Sequence, residues 1–393
     1  MAWVLLARLA CGQVAPAAPL IRDVAPGSGV LVVRSDGSVL TWAKSPQGTV
    51  HAPTALSLPG PARRVAVGGS NLGRFTGYAV LEDGTVVAWG ANDEGQLGSG
   101  APGADVTPGT YPKSSNAPVR VTGLKDVLDI DAGDRHVVAL RGDGSVWAWG
   151  TRDDGALGGG EVVPKGSVRV LSAMAPVRVP LEGVTQIAVA ARHTLALTRE
   201  GRVYAWGSNR MGELGNGTRD TGWTPSLVPN LERVVAIAAG NGGNSHGVSG
   251  ALRDDGTVWM WGTNDSAMIG NSQSAAERDD GTLLHAVPEQ VTGITTARGL
   301  SIGGGHVAVL LADGTLRMWG HNGYGGIGNG TSGAYVPRPV KVTGLTDVVS
   351  IYLGMMRSYA VRADGSLWVW GFKQLERGVL GRHLNVPTRL DLP

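Results

Sequence analysis

Cysteine is almost missing from this chain of 393 residues: there is one, Cys11. A lone thiol so near the N-terminus leaves no disulfide, no cysteine zinc site and no thiol nucleophile for the rest of the protein. Phenylalanine is nearly as scarce, with two in the whole sequence. No run of about 18 apolar residues occurs, so no segment reads as a membrane-spanning helix. Charged residues are sparse at 17%, the formal net charge is +2, and lysine and arginine never cluster in a run. That pattern excludes the basic footprint of a nucleic-acid binder. Nothing in the composition calls for a cofactor or a metal, and none is expected.

Glycine is what the chain has in excess, 62 residues, far above the usual share of roughly 7%. The glycines fall at regular places. The phrases "RSDGSVLTWA" (34–43), "LEDGTVVAWG" (81–90), "RGDGSVWAWG" (141–150), "TREGRVYAWG" (198–207), "RDDGTVWMWG" (253–262), "LADGTLRMWG" (311–320) and "RADGSLWVWG" (362–371) are copies of one another. Length alone would suggest two or three domains, but a period this regular overrides that prior. The seven tryptophans that close the phrases are Trp42, Trp89, Trp149, Trp206, Trp261, Trp319 and Trp370, 47 to 60 residues apart.

Each copy is preceded by a phrase such as "VTQIAVAARHTLAL" (184–197) and followed by a glycine-rich segment such as "SNRMGELGNG" (208–217). A Pro-x-x-Val stretch, as in "APVRVTGL" (117–124), ends the unit. Period-2 patterning bounded by Asp-Gly or Gly-Leu turns reads as four short strands per repeat, A to D in chain order. The Asp-Gly between B and C predicts a type I′ hairpin turn, with positive φ at both central residues. Four strands repeated seven times predict an all-β, seven-bladed β-propeller of antiparallel blades. Residues 20–393 form that propeller, and 1–19 read as a leader, either an export signal or a ragged N-terminus. The ring is expected to close through the terminal segments, with 20–33 and 386–393 sharing one split blade so that no edge stays open. The repeated tryptophans are expected to wedge each blade against its neighbour, buried seven times over.

The pattern DG-x-V-x-x-WG, then N-x-x-G-Q-L-G-x-G and A-G-x-x-H-x-x-A-L, resembles the regulator of chromosome condensation repeat from about residue 20 to the end. It departs at Ala43, at "TNDSAMIGNS" (263–272) and at "GFKQLERGVLGRH" (371–383). The resemblance implies either a scaffold for protein–protein recognition or guanine-nucleotide exchange on a Ras-like small GTPase. The exchange activity depends on particular face residues that the repeat motif does not identify.

Local motifs weigh little against the repeat. "GNSHG" (243–247) fits the G-x-S-x-G elbow, but Ser245 would lie in a loop of an all-β repeat, not on a strand-to-helix turn. "GNGTSG" (328–333) opens no helix and reads as a turn. His136, His193 and His306 share one repeat position and so belong to different blades, too far apart for one metal; a structural or rim-lining role is expected. Asp83, Asp143, Asp255, Asp313 and Asp364 belong to hairpin turns, not to an acid–base set. The sequons at Asn216, Asn264 and Asn329 fall in the repeated post-tryptophan turn, which explains them without sugar.

Antiparallel strands put the A–B and C–D loops on one face and the tight B–C and D–A turns on the other. The length variation falls on the first face, in 100–116, 160–174 and 271–286, and in the A–B loops 69–78 and 240–250. Variable loops on a rigid scaffold are where recognition resides. The candidates for partner binding are Leu72, Arg74, Phe75, Asp134, Arg135, Arg192, Met355, Met356 and Arg357, ringing the channel mouth. Phe75 has two readings: an anchor for a partner, or a plug in the channel. The expected protein is a monomeric, non-enzymatic binder of a protein partner, without nucleic-acid contact or membrane insertion. Its compartment stays open between extracytoplasmic and cytoplasmic.

Overall fold

In a computed structural model the chain is described over 20–27, 29–42, 53–69, 75–100, 105–106, 114–160, 172–241, 246–271, 276–277, 283–333, 335–372 and 383–392. Seven separate antiparallel sheets follow one another along the chain. Their A strands are Ile21–Pro26, Ala62–Gly68, Val127–Ala132, Val184–Val189, Val234–Asn241, Ala297–Ile302 and Val348–Leu353. These seven inner strands line one central cavity of about 1630 Å³, open to solvent, so the sheets are blades around a channel. No described helix is long and apolar enough to cross a membrane.

Every blade takes its four main strands from one continuous stretch, the first from 21–56 and the last from 348–390. The expected split blade is therefore wrong. The ring still closes where the two ends of the described chain meet, by side-chain packing: Val24, Val30, Val32 and Leu40 of blade 1 bury against Tyr359, Val361 and Leu367 of blade 7. At the other six junctions the B–C turn of one blade accepts the first amide of the next A strand. The bonds run from Ala62 to Gly37, Val127 to Gly84, Val184 to Gly144, Val234 to Gly201, Ala297 to Gly256 and Val348 to Gly314, at 2.8–3.1 Å.

The B–C turns differ from the expected type I′. Only the glycine, for example Gly144 at φ +82, is left-handed; none of the preceding aspartates is. Gly144 N–H donates to the Arg141 carbonyl and Arg141 N–H to the Ser145 carbonyl, a type I turn completed by a left-handed glycine bulge. The aspartate has its own task. Asp143 Oδ1 accepts the Ser145 amide at 3.0 Å and its hydroxyl at 2.6 Å, and Asp36, Asp83, Asp255, Asp313 and Asp364 repeat the arrangement. Those hydrogen bonds stabilise the carboxylate and hold its pKa below the ordinary value.

The tryptophans wedge blades together. Trp149, Trp206, Trp261 and Trp319 each donate their indole N–H to a carbonyl in the preceding blade's post-tryptophan turn, at Gln96, Ala156, Glu213 and Met268. Under them, and under Trp370, lie Gly98, Gly158, Gly215, Gly270 and Gly328, all with positive φ, where a Cβ would stand 2.7–2.9 Å from the indole. Burial is uneven, however. Five of the seven rings are fully covered, Trp89 is 6% exposed, and Trp42 is only half-buried. Blade 1 is the small blade, with third and fourth strands of three residues each, Val39–Thr41 and Thr54–Leu56, and its Trp42 packs against the core that it shares with blade 7. Outer strands of the other blades carry Pro118, Pro176, Pro225, Pro288, Pro337, Pro339 and Pro387, which limit pairing at the exposed edge, although blades 3 and 5 still take a short further strand there.

Candidate functional site

The inner strands begin with a bulge that turns the next side chain toward the neighbouring blade. Asp23, Arg64, Asp129 and Gln186 occupy this place. Asp23 Oδ2 accepts the Val65 amide at 3.1 Å, and Arg64 pairs with Asp23 at 3.3 Å and with Asp129 at 2.9 Å. Gln186 binds both backbone groups of Ile237. Farther along, Asp131 accepts amides of Ala132 and Val189, and burial pushes its carboxyl up to about 7. Each of these polar groups is committed to joining blades.

At the loop-rich end the A–B loops join in the same way. Gly69 donates to Gly133, Asp134 to Ala191, Asn241 to Gly303 and Gly304 to Gly354, all backbone to backbone. Ala191 N–H donates to Asn241 Oδ1 at 2.8 Å. Blades 2 to 7 are thus tied in series around the mouth, which gives the side chains there a rigid base.

The ring histidines lie just beneath. His193 Nε2 is 2.8 Å from Ser249 Oγ, and His306 Nε2 is 2.9 Å from Ser358 Oγ, each in the next blade. Both serines donate to carbonyls, of Glu213 and Gly326, so each imidazole must be the donor through Nε2–H. His136 faces Thr194 at 3.3 Å. Burial lowers their pKa values, to about 4 for His136 and His306 and about 3 for His193. They are neutral blade-to-blade links, as their shared repeat position suggests.

Of the partner-binding candidates, Asp134, Arg135, Arg192, Met355 and Met356 are brought together at one channel mouth. Arg357 is not among them. It is half-buried and donates through Nε to the Phe372 carbonyl at 2.7 Å, a link within blade 7. Phe75 is half-buried against the core shared by blades 1 and 2 and does not line the channel, so the plug reading does not hold. Leu72, Arg74 and Ser245 lie outside the described residues, as do the leader 1–19 and most of the long C–D insertions. Two described pieces of those insertions are strands. Asp105–Val106, from the loop of blade 2, pairs with the outer strand of blade 3, and Ala276–Glu277 pairs with the outer strand of blade 5. The sequons at Asn216 and Asn329 are turn devices, each side-chain oxygen accepting the amide and hydroxyl of the threonine two residues on.

Sequence reasoning missed Asp153, Asp154, Arg210, Trp223, His321 and Tyr324, which line the same mouth from the post-tryptophan turns and one outer strand. His321 and Tyr324 belong to an aromatic group with Tyr335, Phe372 and His383, ring centroids 5.0–5.9 Å apart. One signal was present: Trp223 is the one tryptophan in 20–393 outside the strand C phrases.

Comparison with known proteins agrees with this architecture. A family model of the regulator of chromosome condensation (RCC1) repeat matches residues 83–140, 143–197 and 200–244, and a second matches 127–155, 184–213 and 298–325. The human E3 ubiquitin-protein ligase HERC2 is 29% identical over 88% of this chain, which spans 7% of that protein. The ultraviolet-B receptor UVR8 of Arabidopsis thaliana is 27% identical over 85% of this chain and 71% of its own length. Among solved structures, human WBSCR16 superposes with a TM-score of 0.71 at 22% identity, covering 88% of this chain and 86% of that one. Prp20p of Saccharomyces cerevisiae gives 0.70 at 23%, covering 95% and 86%. At such identities the structures speak for the fold alone.

Proposed function

We propose, for a chain that belongs to the regulator of chromosome condensation repeat family, that it is a binding scaffold which grips a protein partner with its loop-rich face and performs no catalysis of its own. The observation that supports this most is the channel mouth, where Asp134, Arg135, Arg192, Met355 and Met356 converge on hydrogen-bonded loops. Arginine, aromatic and methionine side chains are the groups enriched at protein interfaces. The histidines and turn aspartates, the residue types that supply acid–base chemistry elsewhere, are spent here on blade junctions and turns. The opposite face offers uniform tight turns with little to distinguish one partner from another.

Affinity capture from a native extract tests the reading. The parent protein is expected to retain a specific partner, and Met355→Ala with Met356→Ala to lose it. Leu128→Ser with Val349→Ser, two exposed apolar positions at the start of A strands, is expected to keep it. The reverse pattern would place binding on the tight-turn face. If the captured partner is a small GTPase and the protein accelerates its nucleotide release, exchange replaces plain binding.

A further inference from the structure

Blade 3 departs from its neighbours in the turn after its tryptophan. In blades 2, 4, 5 and 6 that turn holds Asn92, Asn209, Asn264 or Asn322, whose Oδ1 accepts the amide five residues on. Blade 3 has Arg152 there, which has no acceptor to offer. The turn becomes a 3-10 turn over Asp153–Gly155, and Asp154 takes a left-handed φ of +52°. Such strain persists only where the surroundings hold it, and it concentrates at functional sites. Here the holders are two cations of blade 4: Arg192 Nη1 donates to Asp154 Oδ2 at 3.3 Å and Arg210 Nη2 to Oδ1 at 3.5 Å. Arg135 pairs likewise with Glu94 of blade 2 at 3.6 Å.

In every pair the acid is the covered partner. Side-chain exposure is 54% for Arg192 and 66% for Arg210 against 19% for Asp154, and 47% for Arg135 against 17% for Glu94. The other acids at this place, Asp134 and Asp153, are half-buried too. A visitor therefore meets guanidinium groups standing on carboxylates. Each guanidinium uses part of its five-donor fork on its support and keeps the rest for a second carboxylate. Trp223 adds a half-buried aromatic wall to the same mouth.

We infer that Arg135, Arg192 and Arg210 form a carboxylate receptor, and that the protein partner docks here through an acidic segment. Asp154 is a positioning residue that holds two of the three cations in place. The inference rests on the loop-rich face being the binding face and names the chemistry of its partner.

A fluorescein-labelled peptide rich in glutamate, followed by anisotropy at low ionic strength, supplies the test. It is expected to bind, its glutamine counterpart not to bind, and added salt to weaken it. Arg192→Gln with Arg210→Gln is expected to weaken binding about tenfold, which corresponds to ~1.4 kcal/mol, and Arg210→Lys to weaken it less while keeping the charge. Asp154→Asn adds positive charge yet is expected to weaken binding, because the arginines lose their support. No binding by the glutamate peptide, or tighter binding by Asp154→Asn, would overturn the inference. With a captured partner the two readings separate. Loss on Met355→Ala with Met356→Ala but not on the arginine changes would refute the receptor alone, while insensitivity to both would refute the face itself.

Discussion

Two glycines isolate what the tryptophan wedge contributes. Gly215 has φ +66° and its Cβ would stand 2.7 Å from Trp261 Nε1, whereas Gly183 has φ +69° and nothing within 4 Å. Alanine at either position bears the same left-handed backbone cost, about 1–2 kcal/mol. Only Gly215→Ala must also push a methyl group into a fully covered indole that is hydrogen-bonded to Glu213. Overpacking of that kind adds about 1–3 kcal/mol, so Gly215→Ala is expected to destabilise by ~2–5 kcal/mol and Gly183→Ala by ~1–2 kcal/mol. Urea titration followed by tryptophan fluorescence measures both, with the midpoint read at an unchanged m-value. Equal losses for the two variants would refute the wedge, because the backbone term would then account for everything.

Other consequences follow from the burial of named groups. Buried His193 has its pKa lowered to about 3, against about 6.5 unfolded, so its stabilising effect is complete above pH 6.5 and shrinks as pH falls toward 3. His193→Gln removes that titration, and its stability deficit relative to the parent should narrow by about 2–3 kcal/mol between pH 7 and pH 4.5; a deficit independent of pH would contradict the neutral buried imidazole. Phe75→Ala uncovers part of the core of blades 1 and 2 and is expected to cost about 2 kcal/mol of stability, less than the 3–5 of a fully buried ring. Unchanged stability with weakened partner binding would instead identify Phe75 as a partner anchor. Ser249→Ala, which leaves His193 Nε2–H without its acceptor, is expected to cost about 1–3 kcal/mol, measured by thermal melting.

The parts of this molecule that repeat were legible, and the parts that break the repeat were not. Asp143, Trp206 and His193 recur at fixed places, and the turn and wedge roles of the first two follow from the repeat position, while the structure gives His193 its particular task, a link to the next blade. The turn type was misjudged because Asp-Gly serves both a type I′ turn and a type I turn with a glycine bulge; only the φ of the aspartate separates them. The split blade was inferred from strand patterns at the two ends, but patterns do not reveal which strands share a sheet. At the candidate site, the sequence did not show which way two loop side chains turn. Arg357 turns back onto Phe372 and Phe75 onto the core, since neighbouring backbone and apolar surface compete with solvent for any side chain. Arg152 carried a further missed signal, a cation where four other blades have asparagine, in the turn that holds Asp154 and its two arginines.

Hydrogen exchange on the complex with the captured partner tests the location of the binding face most directly. Amides at 133–136, 151–156, 190–193, 208–212 and 354–357, on the loop-rich face, are expected to gain protection. Those of the opposite turns at 82–85, 142–145, 199–202 and 253–257 are expected to exchange as in the free protein. Protection confined to the second set would contradict recognition by the channel mouth.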